Sequence, residues 1–228
     1  TTHGSFCYGV NGGWGYSWST HLLPFVEQSD LAAMVHWSDL GWWRGGDRRS
    51  ATLRTLAQAQ VSLFRCPAEC APDRADVNQL PDRYVTNYLA CAGGNARHDN
   101  WGLGGMSHSN GLFVAADFSG GSAIVRRLRD VRNGTSQTLM ISEGKFLLDR
   151  DRGCYTCDRF ALYHPDADIL RGRDFSEMLG STYYRPNTNS RRDQERECAF
   201  SSYHPQGVVI GLADASTHFC NDRIDIQV

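Results

Sequence analysis

The sequence predicts one α+β domain of short helices, short strands and long cysteine-bearing loops. Three observations predict it. The first third of the chain carries short stretches with apolar residues at helical spacing. The later part carries short apolar runs of strand character bounded by Gly, Asn, Asp and Ser. Eight cysteines, an even count, are spread over a chain without a nucleotide-binding or redox-fold motif. At 228 residues, 41% hydrophobic and 21% charged, the composition is that of a folded protein able to bury roughly 70% of its unfolded surface. No internal repeat, low-complexity tract or linker divides it, so residues 1–228 read as a single domain.

The elements follow in order. Residues 1–18 are rich in Gly and aromatics and read as an irregular lead-in. Ser19 or Thr20 can cap a short helix through His21–Gln28, with Pro24 tolerated in its first turn. A second short helix covers Leu31–Trp37. Glycines break the pattern at residues 41–46, and a third helix spans Ala51–Val61 behind a Ser50 cap. Leu63–Cys66 is a short buried strand or turn, and Pro67–Pro81 has the chemistry of a loop. Strands are expected at Tyr84–Ala90, Gly111–Ala116, Ala123–Val125, Thr138–Ser142 and Val208–Ala213, the last returning through Phe219 after a tight turn at Asp214. Residues 149–197 read as a long polar inserted loop with few apolar anchors, and a loop of that length needs staples or a partner.

The cysteines supply candidate staples. An even count without a redox fold favours a disulfide framework and an oxidising compartment, extracellular or at the cell surface. Cys66 with Cys70 and Cys154 with Cys157 are the local pairs. Cys198 with Cys220 is a third, flanking the returning strands, and Cys7 and Cys91 complete the set, with the full connectivity open. Zinc is the competing reading, because the two local pairs offer four thiolates. Pro67 and Glu69 lie inside one pair, however, and the pairs are far apart in sequence, which is unlike a zinc knuckle. Haem attachment fails because Asp158, not His, follows Cys157.

A net charge of −2 and a pI near 6.4 give no footprint for nucleic acid. No apolar run is long enough for a membrane span. Lys145 is the only lysine, and arginine, with its forked contacts to carboxylates, supplies the remaining fixed positive charge. Acidic clusters at Asp149–Asp151, Asp166–Asp168 and Asn221–Asp225 offer oxygens to calcium, but none has EF-hand spacing; solvated loops paired with arginine explain them, and no resident cofactor is expected. Trp14, Tyr16, Trp18, Trp37, Trp42, Trp43 and Trp101 lie mostly in Gly-rich stretches that suit burial under loops, subunit interfaces or sugar stacking. Trp42 and Trp43 are the interface candidates. No nucleophile elbow, HExxH, P-loop or paired-carboxylate motif is present, so no catalytic residue is assigned. His204 and Asp214 stand at opposite ends of one predicted strand, up to about 33 Å apart if extended, so each reads as a local anchor at a turn rather than as a catalytic couple.

His204, nine intervening residues and Asp214 resemble the H-X9-DG motif of a bacterial prepilin-type family of unknown function. Other segments agree in order: Trp18–Gln28, Leu63–Pro67, Tyr84–Tyr88 with Thr86-Asn87, Asn110–Phe113, and Leu128–Glu143. Ala215 departs from the family's Gly after the Asp, and Asn133 from its usual Asp. The resemblance implies a pilin or pseudopilin head: an antiparallel sheet that packs on an apolar N-terminal helix preceding Thr1, with that helix absent from these residues and providing any membrane contact. It further implies copies of the same chain as partners in an extracellular filament. A cell-surface carbohydrate-binding or adhesion module is the alternative.

Overall fold

A computed structural model of the chain describes residues 10–12, 16–37, 50–77, 80–97, 109–113, 115–117, 126–149, 153–154, 159–163, 176–190 and 192–226. The first buried element is a 3-10 helix, Trp18–Phe25. Its cap is Ser17, two or three residues earlier than expected, whose hydroxyl accepts from the amide of Ser19. Pro24 sits near the helix's end rather than in its first turn, and the chain then turns through Glu27 at φ 60°. The following helix α1, Ser29–Ala33, is shorter than its apolar pattern suggested. Helix α2, Ala51–Gln58, starts behind the expected cap and stops three residues short of Val61: Ser50 accepts from the amide of Leu53, and Leu53, Leu56 and Ala57 bury one face.

Five strands form the main sheet: β4 (Tyr88–Cys91), β6 (Leu139–Glu143), β9 (Leu179–Gly180), β10 (Gly207–Leu212) and β11 (Thr217–Asn221), in the order β11-β10-β6-β4-β9. The expected antiparallel sheet is in fact mixed, because β9 pairs parallel to β4 while the other neighbours are antiparallel. Smaller pairs join β1 (Val10–Gly12) to β5 (Ala115–Asp117), β2 (Arg74–Val77) to β3 (Leu80–Tyr84), and β7 (Leu148–Asp149) to β8 (Gly153–Cys154). The β2–β3 hairpin occupies much of the segment expected to be loop. The continuous strand expected over Tyr84–Ala90 is instead broken at 85–87, where Thr86 donates its hydroxyl to the carbonyl of Phe64 and accepts from the amide of Tyr88. A side chain that bonds the backbone in this way competes with the ladder. The strand expected at Ala123–Val125 lies outside the described residues.

Two apolar clusters make most of the core. Tyr16, Leu23, Leu53, Leu56, Phe64, Tyr84 and Leu162 pack beneath the helices. Trp18, Ala90, Phe113, Met178, Leu179 and Cys198 pack against the sheet, with the indole of Trp18 donating to the carbonyl of Met178 at 3.0 Å. Both clusters draw on residues 149–197, so the expectation of a weakly anchored insertion is corrected. That region supplies buried Phe160, Leu162, Tyr163, Met178 and Leu179 and one strand of the sheet.

The expected disulfides are corrected as well: no bridge is present among the described cysteines, Cys66, Cys70, Cys91, Cys198 and Cys220. Cys66 is buried and faces polar side chains from distant segments, whereas Cys70 is exposed and its thiol leans on the carbonyl of Ala68. Cys198 is fully buried at the end of α3 (Asp193–Cys198), while Cys220 is half-buried on β11. Cys91 is sealed in the sheet, where burial pushes its thiol up to about 12. Packing and backbone hydrogen bonds therefore hold these segments. Cys7 and the pair Cys154–Cys157 lie outside the residues whose side chains are described.

Candidate functional site

Four side chains from four separate segments meet at one end of the sheet's inner strands. Cys66 follows the 3-10 turn Ser62–Phe64, Asn87 stands just before β4, Glu143 ends β6, and His204 lies in the turn leading into β10. Cys66 Sγ donates to Glu143 Oε1 at 3.2 Å. His204 Nε2 lies 3.1 Å from the same carboxylate oxygen and 3.5 Å from Cys66 Sγ. The other oxygen of Glu143 accepts from the amide of Val209 at 2.7 Å, which ties the carboxylate to β10. Cys66, Glu143 and His204 are the one group of three Cys, His, Asp or Glu side chains among the described residues whose ligand atoms converge closely enough to hold an ion.

Asn87 fastens the floor of this site. Its carbonyl oxygen accepts from the amide of Cys66 at 3.1 Å, and its amide group donates to Glu69 at 2.7 Å and to the Gly144 carbonyl at 3.2 Å. Glu69 in turn accepts from the amides of Ala71 and Phe146. Glu143 and Asn87 are both almost fully buried, whereas about a third of the His204 side chain reaches solvent. Beside Cys66 and Glu143 is a cavity of about 10 Å³, bounded also by Lys145, Ser201 and Tyr203, with room for about one water.

The arrangement lacks the features of a nucleophilic triad. Both contacts of His204 fall on one nitrogen, Nε2, whereas a relay uses the two ring nitrogens separately. Burial, and beyond it the Glu143 carboxylate, pushes the Cys66 thiol up, opposite to the shift that activates a cysteine.

His204 and Asp214 do lie at opposite ends of β10, as the spacing predicts. Asp214 acts locally: its carboxylate accepts from both the amide and the hydroxyl of Ser216, and these bonds hold it below the usual carboxylate range. His204, expected to anchor its own turn, reaches instead to Glu143 and Cys66. Glu143 was not singled out from the sequence as a site residue, although it closes the Leu128–Glu143 segment.

A second feature lies at the sheet's outer edge. Val209 and Phe219 are cross-strand partners, and with Ile224 and Ile226 they leave large apolar side chains exposed, Phe219 at 54%. Ile210, Phe219, Cys220, Asn221, Arg223 and Ile224 line an open groove of about 360 Å³ there. The aromatic candidates separate: Tyr16 and Trp18 are buried, Trp37 stacks on His21 with ring centroids 4.3 Å apart, and Trp14, Trp42, Trp43 and Trp101 lie outside the described residues. The acidic pairs offered for calcium at 149–151 and 166–168 fall outside the described side chains, and Asp222 and Asp225 join no such convergent group. Among the described residues no helix is long and apolar enough to cross a membrane.

Residues 2–227 match a family model described as a protein of unknown function, DUF1559. No curated protein and no solved structure matches the chain.

Proposed function

Because the chain belongs to the DUF1559 family, the prepilin-type H-X9-DG family, over nearly its whole length, we propose that it is a secreted, non-catalytic structural subunit that packs against copies of itself in an extracellular filament or surface assembly. The observation that carries this reading is the apolar edge of the main sheet. Among the described residues strand β11 ends the sheet and one side of its backbone has no neighbouring strand, and Phe219, Val209, Ile224 and Ile226 lie exposed around it. An edge strand with exposed apolar side chains on and beside it is a template for pairing that monomeric proteins ordinarily blunt or cover. The groove beside Phe219 is of a size to take an apolar side chain from a neighbour. A contact between this edge and a different face of the next copy is heterologous, and it propagates into a filament when the rotation does not close.

Sedimentation and negative-stain microscopy of the purified chain test this. The wild type should form concentration-dependent oligomers or filaments, and Phe219→Lys, which places a charge on the strip, should remain monomeric. A wild type that stays monomeric at high concentration overturns assembly by the head alone. Trp42→Ala with Trp43→Ala tests the interface suggested by the sequence in the same assay. The carbohydrate-binding alternative needs a platform of coplanar exposed rings, and burial of Tyr16 and Trp18 removes two of its candidates.

A further inference from the structure

We propose that Cys66, Glu143 and His204 form a binding site for a divalent transition-metal ion of the zinc class, which clips together three segments of the domain. The geometry carries the proposal. A tetrahedral ion at ~2.3 Å from sulfur and ~2.0–2.1 Å from nitrogen and oxygen sets donor separations of roughly 3.3 Å for N···O and roughly 3.5 Å for S···N and S···O. The protein holds these same atoms 3.1 Å (His204 Nε2 to Glu143 Oε1), 3.5 Å (Cys66 Sγ to His204 Nε2) and 3.2 Å (Cys66 Sγ to Glu143 Oε1) apart. All three edges of the triangle are thus already near the lengths a bound ion requires.

With the imidazole proton on Nε2, two donors share one carboxylate oxygen, and the 3.5 Å contact between sulfur and nitrogen is left as the weakest edge. In that tautomer the thiol and the imidazole N–H both point their protons at Oε1. A cation satisfies all three atoms together. The supporting bonds also suit ligation: the amide of Val209 occupies Glu143 Oε2 and leaves Oε1 directed inward, and Asn87 fixes the backbone of Cys66. Partners of this kind orient metal ligands and tune their affinity. The water-sized cavity against Cys66 and Glu143 and the exposed side of His204 leave the fourth corner to water. On binding, Cys66 releases its proton to solvent and coordinates as thiolate. One thiolate, one carboxylate and a neutral imidazole then exactly offset the two positive charges, so the buried site carries no net charge. Thiolate and imidazole select zinc-class ions over calcium or magnesium.

The clip joins residues 77 and 61 positions apart in sequence. It does not depend on self-assembly, and the test is run on the monomeric Phe219→Lys variant so that failure of one proposal leaves the other readable. The reduced, demetallated chain is titrated with cobalt(II) and then with zinc. A thiolate-to-cobalt charge-transfer band in the near ultraviolet, bleached by zinc, is expected at about one ion per chain. In the same background Cys66→Ser should abolish the band, His204→Gln should weaken binding ~10-fold or more, and Cys70→Ser should leave both unchanged. Zinc at about a hundredfold over Kd should raise Tm by roughly 5–10 °C, a readout that needs no change in the ligands and so covers poorly folding variants. Absence of both the band and the Tm shift overturns the site, as does a band that persists in a folded Cys66→Ser variant.

Discussion

At Ala215 a single side chain carries a measurable strain. The residue takes φ 68° after Asp214, in a three-residue turn closed by Ala215 N to Leu212 O at 3.0 Å and Leu212 N to Ser216 O at 2.9 Å. A left-handed alanine costs ~1–2 kcal/mol, partly offset because glycine loses ~0.5–1 kcal/mol more backbone entropy on folding. Ala215→Gly should therefore stabilise the protein by about 0.5–1 kcal/mol, seen as a higher urea midpoint with an unchanged slope. The departure from the family's glycine thus leaves the turn's shape intact and is paid in stability. His21 makes a second prediction. It is partly buried against Trp37, and burial lowers its pKa from 6.5 to about 4. The unfolded chain binds this proton between those values and the native chain does not, so stability falls as pH drops from 6.5 towards 4. The loss should be on the order of 2 kcal/mol after allowance for partial exposure. His21→Gln should flatten that limb of a Tm-against-pH profile, and an unaltered limb would remove His21 as its source.

Among the elements, the break between β3 and β4 matters most. Residues 85–87 forgo a continuous ladder so that Thr86 and Asn87 can bond laterally: Asn87 joins Cys66, Glu69 and Gly144. Asn87→Ala would leave the Cys66 amide and a Glu69 oxygen without this partner in a buried setting, at ~1–3 kcal/mol for such a group. The variant should unfold about 2–4 kcal/mol earlier in denaturant, whereas Gln58→Ala, which removes an exposed side-chain bond to the Pro81 carbonyl, should cost well under 1 kcal/mol. Equal losses in the two variants would argue against a special role for the 85–87 break.

For the whole molecule, the absence of bridges among the described cysteines makes thiol reactivity a map of the fold. Cys70 is exposed, while Cys66 and Cys91 are buried with their thiols pushed up. Iodoacetamide on the native, unreduced protein should label Cys70 before Cys66 and Cys91, which it should reach only on unfolding, as read by peptide mass spectrometry. A Cys66–Cys70 disulfide peptide would contradict the fold described.

The sequence by itself determined what depends on neighbours along the chain. Ser50 before the Leu53, Leu56 and Ala57 stripe specifies α2, because a hydroxyl cap and a 3.6-residue period are local. The apolar run at Val208–Ala213 and the turn residues around Asp214 specify the β10–β11 hairpin and place His204 and Asp214 at opposite ends of its first strand. The ordered motif segments specify the family. Tertiary structure alone decided the rest. The parallel pairing of β9 with β4, the core residues supplied from 149–197, and Cys66 turned towards Glu143 rather than Cys70 are all long-range choices. Their signals are absent from any short window because strand partners and buried contacts are selected by packing between segments scores of residues apart. The site follows the same logic: Cys66, Asn87, Glu143 and His204 each sit in a recognisable motif, yet only the stacking of β4, β6 and β10 side by side brings them into contact.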